Sequence, residues 1–345
     1  MRARIAITVG DPAGIGGEIA VKALSHASVY VQTQPILVGD TAVLEDALRI
    51  TGLDLKLHRI TDVSQAEGRY GIIDYLDTGV MCPGSWQYGE VSARCGDAAF
   101  SYVVTAIRLA LDKKVDAVAT GPLNKEAMHL AGHMYAGHTE IFAHYTNTAR
   151  YAMLLTAPGL RVIHVTTHVS LEEACRLIQK QRVLETIRLA AYSAQLLNVQ
   201  SPRIGVAGLN PHSSENGLFG TQEHDAIVPA IEEAHKLGID VEGPVPPDTV
   251  FVKALSGQYD VVVAMYHDQG HIPLKLCGFK LDPKTGLFSQ MSGVNITIGL
   301  PFIRSSVDHG TAFDRAGKNL SNEESLVEAI QTAATMGQNL CYKKI

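Results

Sequence analysis

Three histidines each close a run that reads as a buried β-strand. His168 follows RVIHVTT, His212 follows RIGVAGLNP and His267 follows YDVVVAMY. In an open α/β sheet the ligand crevice lies beyond the carboxyl ends of the strands, so turns from distant parts of the chain converge there. Neutral imidazole is a common ligand for borderline divalent metals, and three at strand ends point to a metal site. The chain has 14 histidines, so any one alone is more simply a hydrogen-bonded or solvated turn residue; the repetition carries the argument. His267 lies in HDQGH, where Asp268 is placed to orient an imidazole or a bound water.

The elements that must position these residues are legible as alternation. RIAITV, QPILVGD, DAVAT, YAMLLT, RVIHVTT, RIGVAG, YDVVVAMY and VNITIGL read as strands. Between them, stretches 41–50, 98–111, 183–197, 224–237 and 323–336 carry apolar residues near helical spacing. Capping boxes are expected at Ser170 with Glu173 and at Ser321 with Glu324. The expected architecture is α/β/α. The segment 279–292 (FKLDPKTGLFSQMS) holds Pro283 and Gly286 and is expected as a surface loop able to cover a site. No repeat, heptad seam or low-complexity tract interrupts the pattern.

Composition bounds the function. With 345 residues and 46% hydrophobic content, the chain can bury a large core and is expected to form two packed units. Lys and Arg total 29 against 35 Asp and Glu, a formal charge of −6 that argues against a surface built for nucleic acid. No apolar run approaches the ~18 residues a membrane span needs, so no membrane association is expected. The start RARIAITVGDPAGIGGE meets Asp11 and several glycines too early for a signal peptide, which makes the cytoplasm the expected location. Five cysteines without a CxxC pair suggest neither a disulfide framework nor a zinc ribbon.

GDPAGIGGE, 10–18, follows the first strand and opens a helix, inviting a dinucleotide-binding reading. The spacing refuses it, because the position that needs glycine or alanine after Gly14 and Gly16 holds Ile19. A GxxxxGK[ST] phosphate loop is also absent. The segment reads as a tight turn feeding a helix N-terminus.

Farther along, the chain gives TGPLNKEA (120–127), GHTE (137–140), TTH (166–168), GLNPH (208–212), PPDT (246–249), YHDQGHIPLK (266–275) and GVNITIGLPFIRSSVDHGTAFDRAGK (293–318). Together these resemble the 4-hydroxythreonine-4-phosphate dehydrogenase family from end to end. The resemblance implies an α/β isocitrate/isopropylmalate dehydrogenase-like fold: two α/β/α domains with an active-site cleft between them. The expected borders are 1–130 plus 305–345 for a cofactor-side domain and 131–304 for a domain carrying metal, substrate and dimer contacts. It implies one divalent metal (zinc, cobalt, manganese or magnesium) held by His168, His212 and His267. The third histidine would come from the other subunit of a homodimer with shared active sites.

By the same resemblance, the substrate contacts are His138, Thr139, Lys275, Asn295 and Arg304. HGTA carries over His309, Gly310 and Thr311 as NAD contacts, which would replace the missing glycine fingerprint. A small phosphorylated hydroxy acid suits these groups, since Arg offers a bidentate fork and Lys a compact charge. Lys125, Asp248 and Asp268 are the candidates for proton transfer, each equally readable as a cap, turn or salt-bridge residue. The implied reaction is NAD-dependent oxidation of a hydroxyl β to a carboxylate, followed by loss of carbon dioxide. The segment LDPKTGLFSQMSGVN resembles the branch acting on D-threonate and D-erythronate 4-phosphates, which yields dihydroxyacetone phosphate. The alternatives are 4-phosphohydroxy-L-threonine, a phosphate acyltransferase of related fold, and a non-enzymatic phosphate- or metal-binding protein.

Overall fold

The computed structural model describes residues 2–284 and 288–340. The chain divides into two compact units, Met1–Ala149 with Leu300–Ile345, and Arg150–Gly299. Residues 131–149 and 300–304, expected from the sequence in the second domain, therefore lie in the first unit.

The first unit holds six parallel strands in the order Lys56–Ile60, Ile72–Leu76, Thr33–Val38, Ala3–Thr8, Ala117–Thr120, Ile303–Val307. Ala117–Thr120 and Ile303–Val307 are buried at every position. Side chains alternate faces along a strand, so continuous burial means that both faces are covered. Helices Ala93–Leu111 and Glu324–Leu340 supply much of that cover, both packing on Ala3–Thr8 and Ala117–Thr120.

The second unit orders its strands Val294–Ile298, Ala152–Ala157, Leu160–His164, Val261–Ala264, Ile204–Ala207, Val241–Val245. The first two junctions are antiparallel and the last three parallel. Leu160–His164, Val261–Ala264 and Ile204–Ala207 are thus adjacent and point the same way, and their carboxyl ends lead to His168, His267 and His212.

Segment 279–292 is not an irregular loop. Phe279–Leu281 and Phe288–Met291 pair antiparallel as a hairpin, and residues 285–287 of that stretch lie outside the described residues. Of the box expected at Ser170, the Ser170 half is present: its hydroxyl accepts from the Glu173 amide at 3.2 Å and caps helix Leu171–Leu177. Ser321 does not cap: Asn322 takes the Glu324 amide at 2.6 Å, while the Ser321 hydroxyl is buried without a hydrogen-bond partner. Cys82, Cys95, Cys175 and Cys277 are free thiols, and Cys341 lies outside the described residues. No helix among the described residues is long and apolar enough to cross a membrane.

The glycine-rich start is a tight turn, with one titratable group inside it. Gly10 has φ +85, and a Cβ there would meet the Pro122 carbonyl at 2.2 Å, so only glycine fits. Asp11 is fully buried; the Ala13 amide donates to Oδ1 at 2.8 Å while Oδ2 has no hydrogen-bond partner. Burial pushes this carboxyl up to about 6, partly offset by the Ala13 amide. A native pKa above the unfolded value means that the folded chain binds the proton more tightly. The contribution is complete below the ordinary carboxylate pKa and is lost as pH rises through about 6. Between pH ~4 and ~7, urea melts should show the parent losing roughly 2–3 kcal/mol relative to Asp11→Asn. Parallel pH profiles for the two proteins would contradict this account of Asp11.

Candidate active site

In the second unit, four histidine rings form a chain. His168 and His267 have centroids 5.7 Å apart, His267 stacks on His271 at 3.6 Å and 12°, and His271 lies 4.8 Å from His164. His267 opens helix His267–Gly278, and its Nδ1 lies 2.6 Å from Asp268 Oδ1. An ionised carboxylate only accepts, so Nδ1 is the donor in this pair and Nε2 is the ring atom turned to a ligand whenever the imidazole is neutral. His271 Nδ1 donates in the same way to the His267 carbonyl at 2.9 Å. His164 is fully buried, and desolvation, reinforced by the neighbouring His271, pushes it down to about 3, so its ring is neutral. Glycine at 270 is what lets the helix cross that ring, since a Cβ there would sit 2.3 Å from His164 Nε2.

A groove of about 320 Å³ is lined by Thr167, His168, Tyr266, His267 and Asp268. A neighbouring one of about 490 Å³ shares Tyr266 and Asp268 and adds Asp248, which is exposed. Of the two carboxylate candidates for proton transfer, Asp268 borders both grooves and Asp248 one.

His212 stands apart. It is exposed and begins five consecutive left-handed residues, His212 to Asn216, with φ between 47 and 67. Among the described residues, no three His, Cys, Asp or Glu side chains of one chain converge to hold a metal ion. His168 and His267 suit a divalent cation by donor chemistry and spacing, and among the described residues His212 does not join them. Lys275 has its Nζ 4.3 Å from the centre of the Phe279 ring, and Asn295 Nδ2 donates to Met153 Sδ at 3.3 Å.

The first unit gathers other candidates. Arg304 lies in strand Ile303–Val307 at 2% exposure, and a terminal guanidinium nitrogen donates to Thr120 Oγ1 at 2.8 Å. Its carbon lies 5.6 Å from the Phe142 ring centre. Burial lowers its pKa to about 9, opposed by Glu140, which leaves the group cationic at neutral pH. His138 begins helix His138–Tyr145, next to half-buried Thr139. Its Nε2 is buried without a hydrogen-bond partner, and desolvation, then the charges of Arg304 and Lys125, hold it well below the usual histidine range. A neutral imidazole whose Nε2 is buried, beside a buried cation, is an arrangement that an anionic ligand would satisfy. Lys125 is exposed at the start of helix Lys125–Leu130, which Asn124 caps through the Ala127 amide at 3.0 Å.

The HGTA stretch packs against the glycine-rich turn. The Thr311 carbonyl accepts from the Ile15 amide at 3.0 Å, and a Cβ on Gly14 would meet that same carbonyl at 2.9 Å. His309 Nδ1 lies 3.0 Å from the Gly310 carbonyl, and Gly310 faces open space. The two segments that separately invited a dinucleotide reading are therefore neighbours, which sequence separation concealed. Sequence reasoning also passed over His164, His271 and Thr120; only the i, i+4 spacing of His267 and His271 could have signalled one of them.

Comparison with known proteins gives this geometry a family. A family model described as pyridoxal phosphate biosynthetic protein PdxA matches residues 31–333. The D-threonate 4-phosphate dehydrogenase of Cupriavidus necator is 49% identical over 333 residues, 96% of either chain. That of Salmonella typhimurium is 47% identical over 331 residues, 95% of this chain and 97% of its own. A crystal structure of a 4-hydroxythreonine-4-phosphate dehydrogenase from Burkholderia phymatum matches with a TM-score of 0.83 at 46% identity, covering 97% of this chain and 98% of that one. The chain belongs to the PdxA family, the 4-hydroxythreonine-4-phosphate dehydrogenases that its ordered motifs resemble, and it is an oxidoreductase.

Proposed function

We propose that the protein oxidises D-threonate 4-phosphate or D-erythronate 4-phosphate with NAD and a divalent metal, releasing carbon dioxide and dihydroxyacetone phosphate. The observation that carries this reading is the His168 and His267 pair, 5.7 Å apart at the ends of adjacent parallel strands, with His267 oriented by Asp268 at 2.6 Å. His212, supplied across a homodimer interface, completes the ligand set, so active sites are shared between subunits. The dehydrogenase relatives named for D-threonate 4-phosphate favour the sugar-acid substrate. The Burkholderia phymatum structure, named for 4-hydroxythreonine 4-phosphate, keeps 4-phosphohydroxy-L-threonine as the second reading. The cytoplasm fits such a metabolic role.

The substrate's hydroxyl carbon gives up a hydride and its oxygen a proton; the β-keto acid then loses carbon dioxide and gains a proton at the carbon left behind. When bound, the cation supplies Lewis acidity at the substrate oxygens and the nicotinamide accepts the hydride. Arg304 offers a fixed cation to an anionic end of the substrate, and neutral His138 offers its unpartnered Nε2. Thr139, Lys275 and Asn295 complete the substrate contacts in this reading. Asp268 and Asp248 line the grooves where a proton must be moved, and Lys125 is the cationic candidate near His138. His309, Gly310 and Thr311, beside the glycine-rich turn, would hold the cofactor.

Absorbance of the reduced nicotinamide, followed with each candidate phosphate and with or without added metal, tests the proposal. Reduction with the two sugar-acid phosphates, dependent on metal and yielding dihydroxyacetone phosphate, is expected. Reduction with only the amino substrate would select the second reading, and no reduction with any of the three would end both.

A further inference from the structure

At the roots of the histidine turns lies a side chain that neither metal nor substrate binding uses. Gln269, two residues beyond His267 on helix His267–Gly278, is 8% exposed. Its Oε1 accepts from the Met265 amide at 2.6 Å, and its Nε2 donates to the Gly208 carbonyl at 2.8 Å. One partner is a backbone donor and the other a backbone acceptor, which fixes the orientation of the carboxamide. Met265 is the first residue after strand Val261–Ala264 and leads into His267. Gly208 is the first after Ile204–Ala207 and leads into His212. The Met265 carbonyl in turn accepts from the Thr166 amide at 3.2 Å and the Thr166 hydroxyl at 2.8 Å, two residues before His168.

Strand pairing alone does not hold these turns together. The register between Val261–Ala264 and Ile204–Ala207 ends at Val263 opposite Val206; beyond it Ala264 pairs with His164 and Ala207 with Val245, each on its far side and not with the other. Gln269 supplies the next cross-link at that point. Farther along, Glu223 accepts from the Leu209 amide at 2.8 Å, the Asn210 amide at 2.7 Å and Asn210 Nδ2 at 2.8 Å, holding the approach to His212. Burying an amide costs stability unless both its halves are bonded, and both are. A Met or Leu would fill the same space without that requirement.

We propose that Gln269 is the positioning residue for the metal ligands: it locks the His212 and His267 turns of each protomer in one register and so fixes where their imidazoles are presented. This rests on the reading of His168, His212 and His267 as ligands. The probe is Co²⁺ alone with the full chain. Gln269→Met keeps length and volume and removes both hydrogen bonds. Its dissociation constant for Co²⁺, from chelator competition, should rise about 10–100-fold, the usual cost of losing a group that orients metal ligands. The visible ligand-field bands of bound Co²⁺ should shift as well, a change that a merely structural role would not produce. Gln269→Glu keeps the bond to Met265 but sets an oxygen against the Gly208 carbonyl. It should weaken binding likewise, and it carries the test if the Met variant fails to fold. Weakened Co²⁺ binding in His212→Ala with unchanged affinity and bands in the Gln269 variants would overturn the positioning role and leave the metal reading standing. Unchanged Co²⁺ binding in His212→Ala as well would remove the metal reading and the inference together.

Discussion

Replacing His212 with alanine should reduce kcat/KM by more than about a hundredfold and weaken divalent-metal binding to match, with the melting temperature close to that of the parent. The magnitude follows by comparison: losing a group that only orients a ligand typically costs 10–100-fold, so losing a ligand costs more. Stability should survive because His212 is exposed and packs no core. Its left-handed conformation, φ 53, adds a control. Alanine tolerates that region poorly, whereas asparagine visits it readily, so His212→Asn relieves the backbone without restoring an imidazole. Comparable losses of turnover in both variants would assign the effect to the ring, while a recovery of activity in His212→Asn would assign it to the turn. Dialysis against a chelator should mimic either variant in the parent, and added metal should restore only the parent. A His212 variant that keeps the parent's metal affinity and turnover would take this residue out of the site.

The histidine pattern is legible in the sequence because it combines two signals: short β-branched runs that read as buried strands, and a reactive residue type just past each of them. Strands such as Val261–Ala264 and Ile204–Ala207 bury every residue, and their sequences show it. Besides the hairpin, four strands are illegible for physical reasons. Lys56–Ile60 buries only Ile60, so its charges mask it. Ile72–Leu76 buries Asp74, which takes the Gly68 amide and pairs with His58, a polar core that mimics a turn. Val241–Val245 carries Gly243 and Pro244, which read as breakers. Ile303–Val307 is wholly buried yet holds Arg304, Ser305 and Ser306. Local rules fail there because the strand carries the candidate anion contact, which is where such failures are expected. Gln269 is hidden for another reason: a glutamine beside a histidine says nothing until two backbone partners from different strand ends are seen on either side of its amide.

Arg304→Lys should raise KM for the phosphorylated substrate about 10–100-fold with a much smaller change in kcat. A hydrogen bond to a charged group contributes about 1.5–3 kcal/mol, and that range corresponds to such a factor when the second arm of a fork is lost. Conserving the charge does not conserve the interaction, because the ammonium is a single point where the guanidinium is a planar pair of donors. At this position it does not reliably conserve the charge either. Burial that brings the guanidinium down to about 9 starts, for lysine, from a group about two units less basic, so the same desolvation carries the ammonium toward neutrality in the physiological range. The sign follows from the protonation state: the binding form of a cation is lost as pH rises. The KM of the lysine variant should therefore climb between pH ~6 and ~8, where that of the parent stays flat, and kcat should hold steady across the same range. Steady-state kinetics at several pH values with saturating nicotinamide and metal resolves the two effects. A KM equal to the parent's throughout, for every phosphorylated substrate that turns over, would place Arg304 outside the pocket and return its burial to a packing role between Thr120 and Phe142.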